Sequence, residues 1–65
     1  DKNYFLQVNL RSENFDLYKH KSLKHFSKSE DGYCLYIFES NNIDELNTIR
    51  DSIPKEDLIN ISIDF

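Results

Sequence analysis

DGYCLYIFESNN, residues 31–42, holds a turn, a strand and a helix start in twelve residues. Asp31-Gly32 is a hairpin signal, because glycine supplies the positive φ that tight turns need. Residues 33–39, YCLYIFE, are aromatic and β-branched and read as a strand. Ser40-Asn41-Asn42 can cap a helix, and Asn42 followed by Glu45 has the spacing of a capping box.

Downstream of the cap, Ile43, Leu46, Ile49 and Ile53 recur at intervals of three and four and mark one buried helical face. Pro54 stops that helix. The run LINISIDF then alternates, with Ile59, Ile61, Ile63 and Phe65 on one side and Asn60, Ser62 and Asp64 on the other.

Upstream of the turn, residues 22–29 read as a strand. Leu23 and Phe26 cannot share a face under strict alternation, which implies a bulge. Before it, Ser12 offers an N-cap for a short helix near 12–20, with Phe15 and Tyr18 a helical turn apart. Residues 4–10, YFLQVNL, put Tyr4, Leu6, Val8 and Leu10 on one side and Phe5, Gln7 and Asn9 on the other.

The element order is β-α-β-β-α-β. It predicts an α+β fold of the split, ferredoxin-like kind, with a four-stranded antiparallel sheet in the order 4-1-3-2. Right-handed crossovers place both helices on one face and leave the other open. The expected core is Leu6, Val8, Leu35, Ile37, Leu46, Ile49, Ile61 and Ile63. On that phasing the open face carries Phe5, Gln7 and Asn9, then Cys34, Tyr36 and Phe38, then Asn60, Ser62 and Asp64. Contiguous exposed aromatics are informative where scattered ones are not. Beside short amides and hydroxyls they suit an uncharged partner such as a sugar, and the candidate binding residues are Phe5, Gln7, Asn9, Tyr36, Phe38, Asn60 and Ser62.

Size and composition bound the alternatives. Sixty-five residues make one small domain. Cys34 is the only cysteine, so no disulfide framework assists it. Methionine is absent, and the chain reads as a segment of a longer protein. Nine aromatics with seven leucines and seven isoleucines can build a core. The net charge of −4 is uneven, with residues 1–28 at +3 and residues 29–65 at −7. That balance argues against a nucleic-acid binder. The run KHKSLKHFSK, residues 19–28, is the basic exception. On an edge strand its lysines block edge-to-edge pairing; a functional role would be guidance toward an acidic surface.

Little points to catalysis. The acid pairs Glu30-Asp31, Asp44-Glu45 and Glu56-Asp57 are adjacent in sequence and do not face each other. His20, His25 and Cys34 show no recognised metal spacing. A Cys34 nucleophile with His25 would lack an orienting third group. The expectation is a non-catalytic module with no metal and no cofactor.

Two segments resemble a known family. YFLQV followed by a polar turn resembles the opening of SPOR domains, the sporulation-related repeat, where an aromatic or apolar pair precedes Val-Gln-Val-Gly. DGYCLYIFESNNIDELNTIRDSI is similar to the SPOR pattern of a hairpin Asp-Gly, then Tyr-Arg-x-x-Val-Gly-x-Phe, then a helix with paired acids and an Arg-Asp near its end. The matching residues are Asp31-Gly32, Tyr33, Ile37, Asp44-Glu45 and Arg50-Asp51, and the likeness spans residues 4–10 and 31–65. It implies binding of peptidoglycan glycan strands stripped of stem peptides on the open sheet face, in a bacterial envelope protein facing the periplasm and serving cell division. Gln7 occupies the motif's first-strand glutamine. Asn9 replaces the first glycine, Phe38 the second, and Cys34 stands at the usual arginine. The alternative is an assembly module using the same face against a protein. An RNA-binding module is a further alternative, since GYCLYIF resembles the third-strand motif of RNA recognition modules, with Asp31 where a basic residue belongs.

Overall fold

The computed structural model describes residues 2–64. Its strands are β1 (Tyr4–Leu10), β2 (Leu23–Lys28), β3 (Cys34–Ser40) and β4 (Leu58–Asp64). One α-helix, α1 (Ile43–Asp51), follows β3. The strands form a single antiparallel sheet in the order β2-β3-β1-β4, the expected 4-1-3-2 seen from the other edge. Phe65, placed with the isoleucines of β4 by its alternation, lies outside the described residues.

The region expected as a first helix over 12–20 is a 3-10 helix, Phe15–Lys19. Its N-cap is Asn14 rather than Ser12: the Asn14 side chain accepts from the Asp16 amide at 3.0 Å. Tyr36 fixes that position from the sheet. Its hydroxyl accepts from the Asn14 N–H at 2.9 Å and donates to the Asn14 carbonyl at 3.3 Å. Leu17 is the buried residue of this turn, whereas Phe15 is 71 % exposed. Tyr18, 39 % exposed, lays its ring against Phe26 and Tyr36, so Leu17 and one side of Tyr18 meet the sheet while Phe15 stays out.

The start of α1 is built as a relay. Asn42 caps the Asp44 amide at 3.0 Å. Its own N–H donates to Ser40 Oγ at 3.0 Å, and that hydroxyl donates to Glu45 Oε1 at 2.7 Å. Glu45 thus closes the cap through Ser40 instead of reaching Asn42 directly. Asn42→Ala should lower stability by about 1 kcal/mol in urea denaturation, while Asn42→Asp should be nearly neutral.

One core holds the molecule together. Leu6, Val8 and Leu10 of β1, Leu17, Cys34, Tyr36 and Phe38 of β3's inner row, Leu46 and Ile49 of α1, and Ile53 after it form a single cluster. Ile61 and Ile63 are half-buried against it. Leu6, Val8, Leu46 and Ile49 therefore sit where the periodicity put them. Leu35 and Ile37 do not: they are on the opposite face.

The phase of β3 is thus the reverse of the expected one. Register decides it: Leu6 pairs with Phe38, Val8 with Tyr36 and Leu10 with Cys34, and all six side chains point to the helical side. Residues 33–38 are apolar without interruption, so their alternation carries no phase information. Volume settles what pattern cannot. With one α-helix and one short turn to cover the sheet, two aromatic rings fill the core where Leu and Ile would leave space. Tyr36 and Phe38 stack nearly parallel at 6.4 Å, and Tyr36 meets Phe26 at 5.0 Å. The bulge expected in β2 is present between Leu23 and His25, and it lets Leu23 and Phe26 both face inward.

Candidate functional site

The open face of the sheet has three rows. Gln7 lies between Ile37 of β3 and Ser62 of β4. Asn9 lies between Leu35 and Asn60, and Phe5 between Glu39 and Asp64. His25 and Ser27 of β2 extend the face beyond Ile37 and Leu35. Of the expected binding residues, Phe5, Gln7, Asn9, Asn60 and Ser62 share this face. Tyr36 and Phe38 do not: both are completely buried on the other side. The aromatic platform on β3 is absent, and two half-buried aliphatics, Leu35 and Ile37, take its place.

At one end the face deepens into a cleft of about 340 Å³ lined by Asn9, Arg11, Tyr33 and Ile59. Each wall has a local cause. The pairing of β1 with β4 shifts register between Asn9 and Leu10, so Leu10 pairs with Leu58, Asn9 with Asn60, and Ile59 is extra. A bulge re-aims the side chain it carries. Ile59, grouped by alternation with Ile61 and Ile63, is 46 % exposed beside Asn9 instead of buried with them. Tyr33 follows Gly32, whose φ of +91° is the conformation the turn demands. The Tyr33 amide donates to Ser29 Oγ at 3.1 Å and its carbonyl accepts from the Ser29 amide at 2.8 Å. That closed turn holds a ring that is 50 % exposed.

Arg11 supplies the cleft's cation. Its main-chain N–H donates to the Asp57 carbonyl at 2.9 Å, and Nη1 donates to the Glu56 carbonyl at 3.3 Å. Among the described residues its guanidinium forms no ion pair, whereas Lys19, Lys28 and Arg50 each have an acidic partner. Most of its five donors therefore remain available. Arg11, Tyr33 and Ile59 are absent from the residues expected to bind. Tyr33 was legible as the first residue after the glycine turn; the bulge that exposes Ile59 has no signal in the sequence.

The chemical candidates fall apart in space. His25 pairs with Ile37 on the open face, whereas Cys34 is 1 % exposed on the helical face. His20 packs edge-on against Phe38, 6.2 Å between ring centres. Burial pushes the Cys34 thiol up from its ordinary value; the Glu13 charge adds to this and Lys28 opposes it. A neutral, enclosed thiol is a poor nucleophile. Among the described residues no group of three His, Cys, Asp or Glu converges as a metal site, and no helix is long and apolar enough to cross a membrane.

Compared with known proteins, the chain matches no family model, no curated protein and no solved structure.

Proposed function

We propose that the chain is a non-catalytic binding module that takes a glycan strand across the open face of its sheet, as its resemblance to SPOR domains implies, in a protein of the bacterial envelope. The observation that carries this is the row of uncharged polar side chains ending in the cleft. Gln7, Asn9, Asn60 and Ser62 can bond hydroxyl and acetamido groups, and Tyr33 can cover the C–H face of a pyranose ring. Tyr33 thereby takes the part that Tyr36 and Phe38 would have had. Arg11 offers a guanidinium on this face, while Cys34, at the usual position of the family's arginine, is buried away from it.

The test is retention on purified peptidoglycan sacculi. The chain should sediment with them, and amidase-treated sacculi should retain more. Tyr33→Ala should weaken retention roughly tenfold or more, since a covered ring contributes about 1.5–3 kcal/mol. Gln7→Ala should weaken it less, one hydrogen bond contributing about 0.5–1.5 kcal/mol. Added salt should matter little, because one cation faces the ligand. A wild-type chain that stays in the supernatant sinks the proposal.

A second function for the same face rests on Leu35 and Ile37. Two aliphatic side chains at the middle of an open sheet suit a protein surface better than a sugar. In that case Leu35→Ser with Ile37→Ser abolishes capture of a protein partner, and Tyr33→Ala has little effect.

A further inference from the structure

The two edges of the sheet are opposite in character. β2 carries Lys24 and Lys28, with Lys19 and Lys21 just before it, all exposed. Glu13 and Asp16 offset part of that charge through ion pairs to Lys28 at 3.7 Å and Lys19 at 3.4 Å. β4 is bounded by Asp57 and Asp64, and Glu56 precedes it. Arg50 of α1 lines the groove beside β4 and is paired with Asp51 at 3.4 Å. β4 contains neither lysine nor proline; its bulge at Ile59 and the charge of Asp64 lie toward its ends and leave the regular run of residues 60–63 for pairing at its outer side.

Both edges also leave apolar surface uncovered on the helical face. Beside β2, Phe15 is 71 % and Tyr18 39 % exposed, next to the half-buried Phe26. Beside β4, a groove of about 340 Å³ opens between α1 and the strand, lined by Ile43, Asn47, Arg50, Ile61, Ser62 and Ile63.

Strand polarity makes the edges compatible. β2 and β1 run one way, and β3 and β4 the other. A second copy displaced sideways in the plane of the sheet therefore sets its β2 antiparallel to β4, with both helical layers on the same side. In that arrangement lysines meet aspartates, and the Phe15, Tyr18 and Phe26 rings face the Ile43, Ile61 and Ile63 groove. The symmetric alternatives oppose charge: β2 on β2 sets lysine against lysine, and β4 on β4 in register brings Asp57 of each copy toward Asp64 of the other.

We propose that copies of this chain associate head to tail, β4 of one against β2 of the next. The contact is heterologous, so it does not close at a dimer. β4 takes part in both surfaces: its outer main chain pairs with β2 of the next copy, while its Asn60 and Ser62 side chains face the open side.

Sedimentation of the 65-residue chain tests this. The weight-average mass should rise with concentration from micromolar to millimolar and pass the dimer, and should fall as salt is added. Lys24→Glu with Lys28→Glu should abolish association, as should Asp57→Lys with Asp64→Lys. Mixing the two double variants should restore it, because each reversed edge then meets a complementary one. Circular dichroism confirms that each variant is folded; should Asp57→Lys fail to fold, Asp64→Lys alone against the β2 variant carries the same comparison. A chain that stays monomeric throughout overturns the proposal, as does association that survives reversal of β2 alone or stops at a dimer.

Discussion

Tyr36→Ala is expected to leave the chain largely unfolded at room temperature. Tyr36 is completely buried, contacts the rings of Tyr18, Phe26 and Phe38, and holds the Asn14 main chain with its hydroxyl. Truncating a buried aromatic costs about 3–5 kcal/mol. A chain of this size has roughly 3–10 kcal/mol in total, and no disulfide to spare it. Tyr36→Phe separates the two contributions. It keeps the ring and leaves the Asn14 amide without its acceptor, for about 1–3 kcal/mol. Urea titration followed by circular dichroism measures both. A Tyr36→Ala chain that folds normally would falsify the inward phase of β3 and return Tyr36 to the open face.

Ile49→Ala should be nearly as damaging. Ile49 and Leu46 are the two buried residues of α1, the only α-helix among the described residues. A nine-residue helix is not stable alone and depends on the sheet it covers. Removing the Ile49 side chain opens a cavity between α1 and the sheet and should cost about 2–5 kcal/mol. Ile37→Ala is the control on the same residue family. Ile37 is half-buried on the open face, so its truncation should cost clearly less. Equal losses from the two variants would mean that the open face is covered in solution, which favours a protein interface over a glycan site.

The electrostatic consequences of this layout are modest. The three ion pairs among the described residues lie at the surface, with only Glu13 half-buried, and such pairs contribute little. The stronger polar features are those tied to the main chain: the Tyr36 hydroxyl on Asn14, the Ser40 relay at the start of α1, and the Ser29–Tyr33 turn. One of the three, the Ser29–Tyr33 turn, borders the cleft of the open face. Ser22 stands apart, a buried side chain whose hydroxyl has no hydrogen-bond partner among the described residues.

Much of this protein was determined by its sequence alone. Alternation in β1, the Asp31-Gly32 turn, the Asn42 cap and the spacing of Ile43, Leu46 and Ile49 suffice for element order, sheet topology and the face that α1 buries. The inward side of β1 follows too, because Gln7 and Asn9 are polar and Leu6 and Val8 are not. The bulge in β2 was legible from Leu23 and Phe26, which no straight strand could bury together. Tertiary structure decided what had no polar marker. In residues 33–38 every side chain is apolar, so either phase satisfies the strand, and a one-residue change of register exchanges the faces. The choice fell to core volume and to pairing with β1, which draw in Cys34, Tyr36 and Phe38 and turn out Leu35 and Ile37. The bulge at Ile59 is of the same kind. It arises from fitting β4 to β1 and to the Arg11–Asp57 main-chain bond, contacts between segments 46 residues apart. The cleft of Asn9, Arg11, Tyr33 and Ile59 exists only after that fit, because its residues come from three separate strands or strand ends that no local pattern connects.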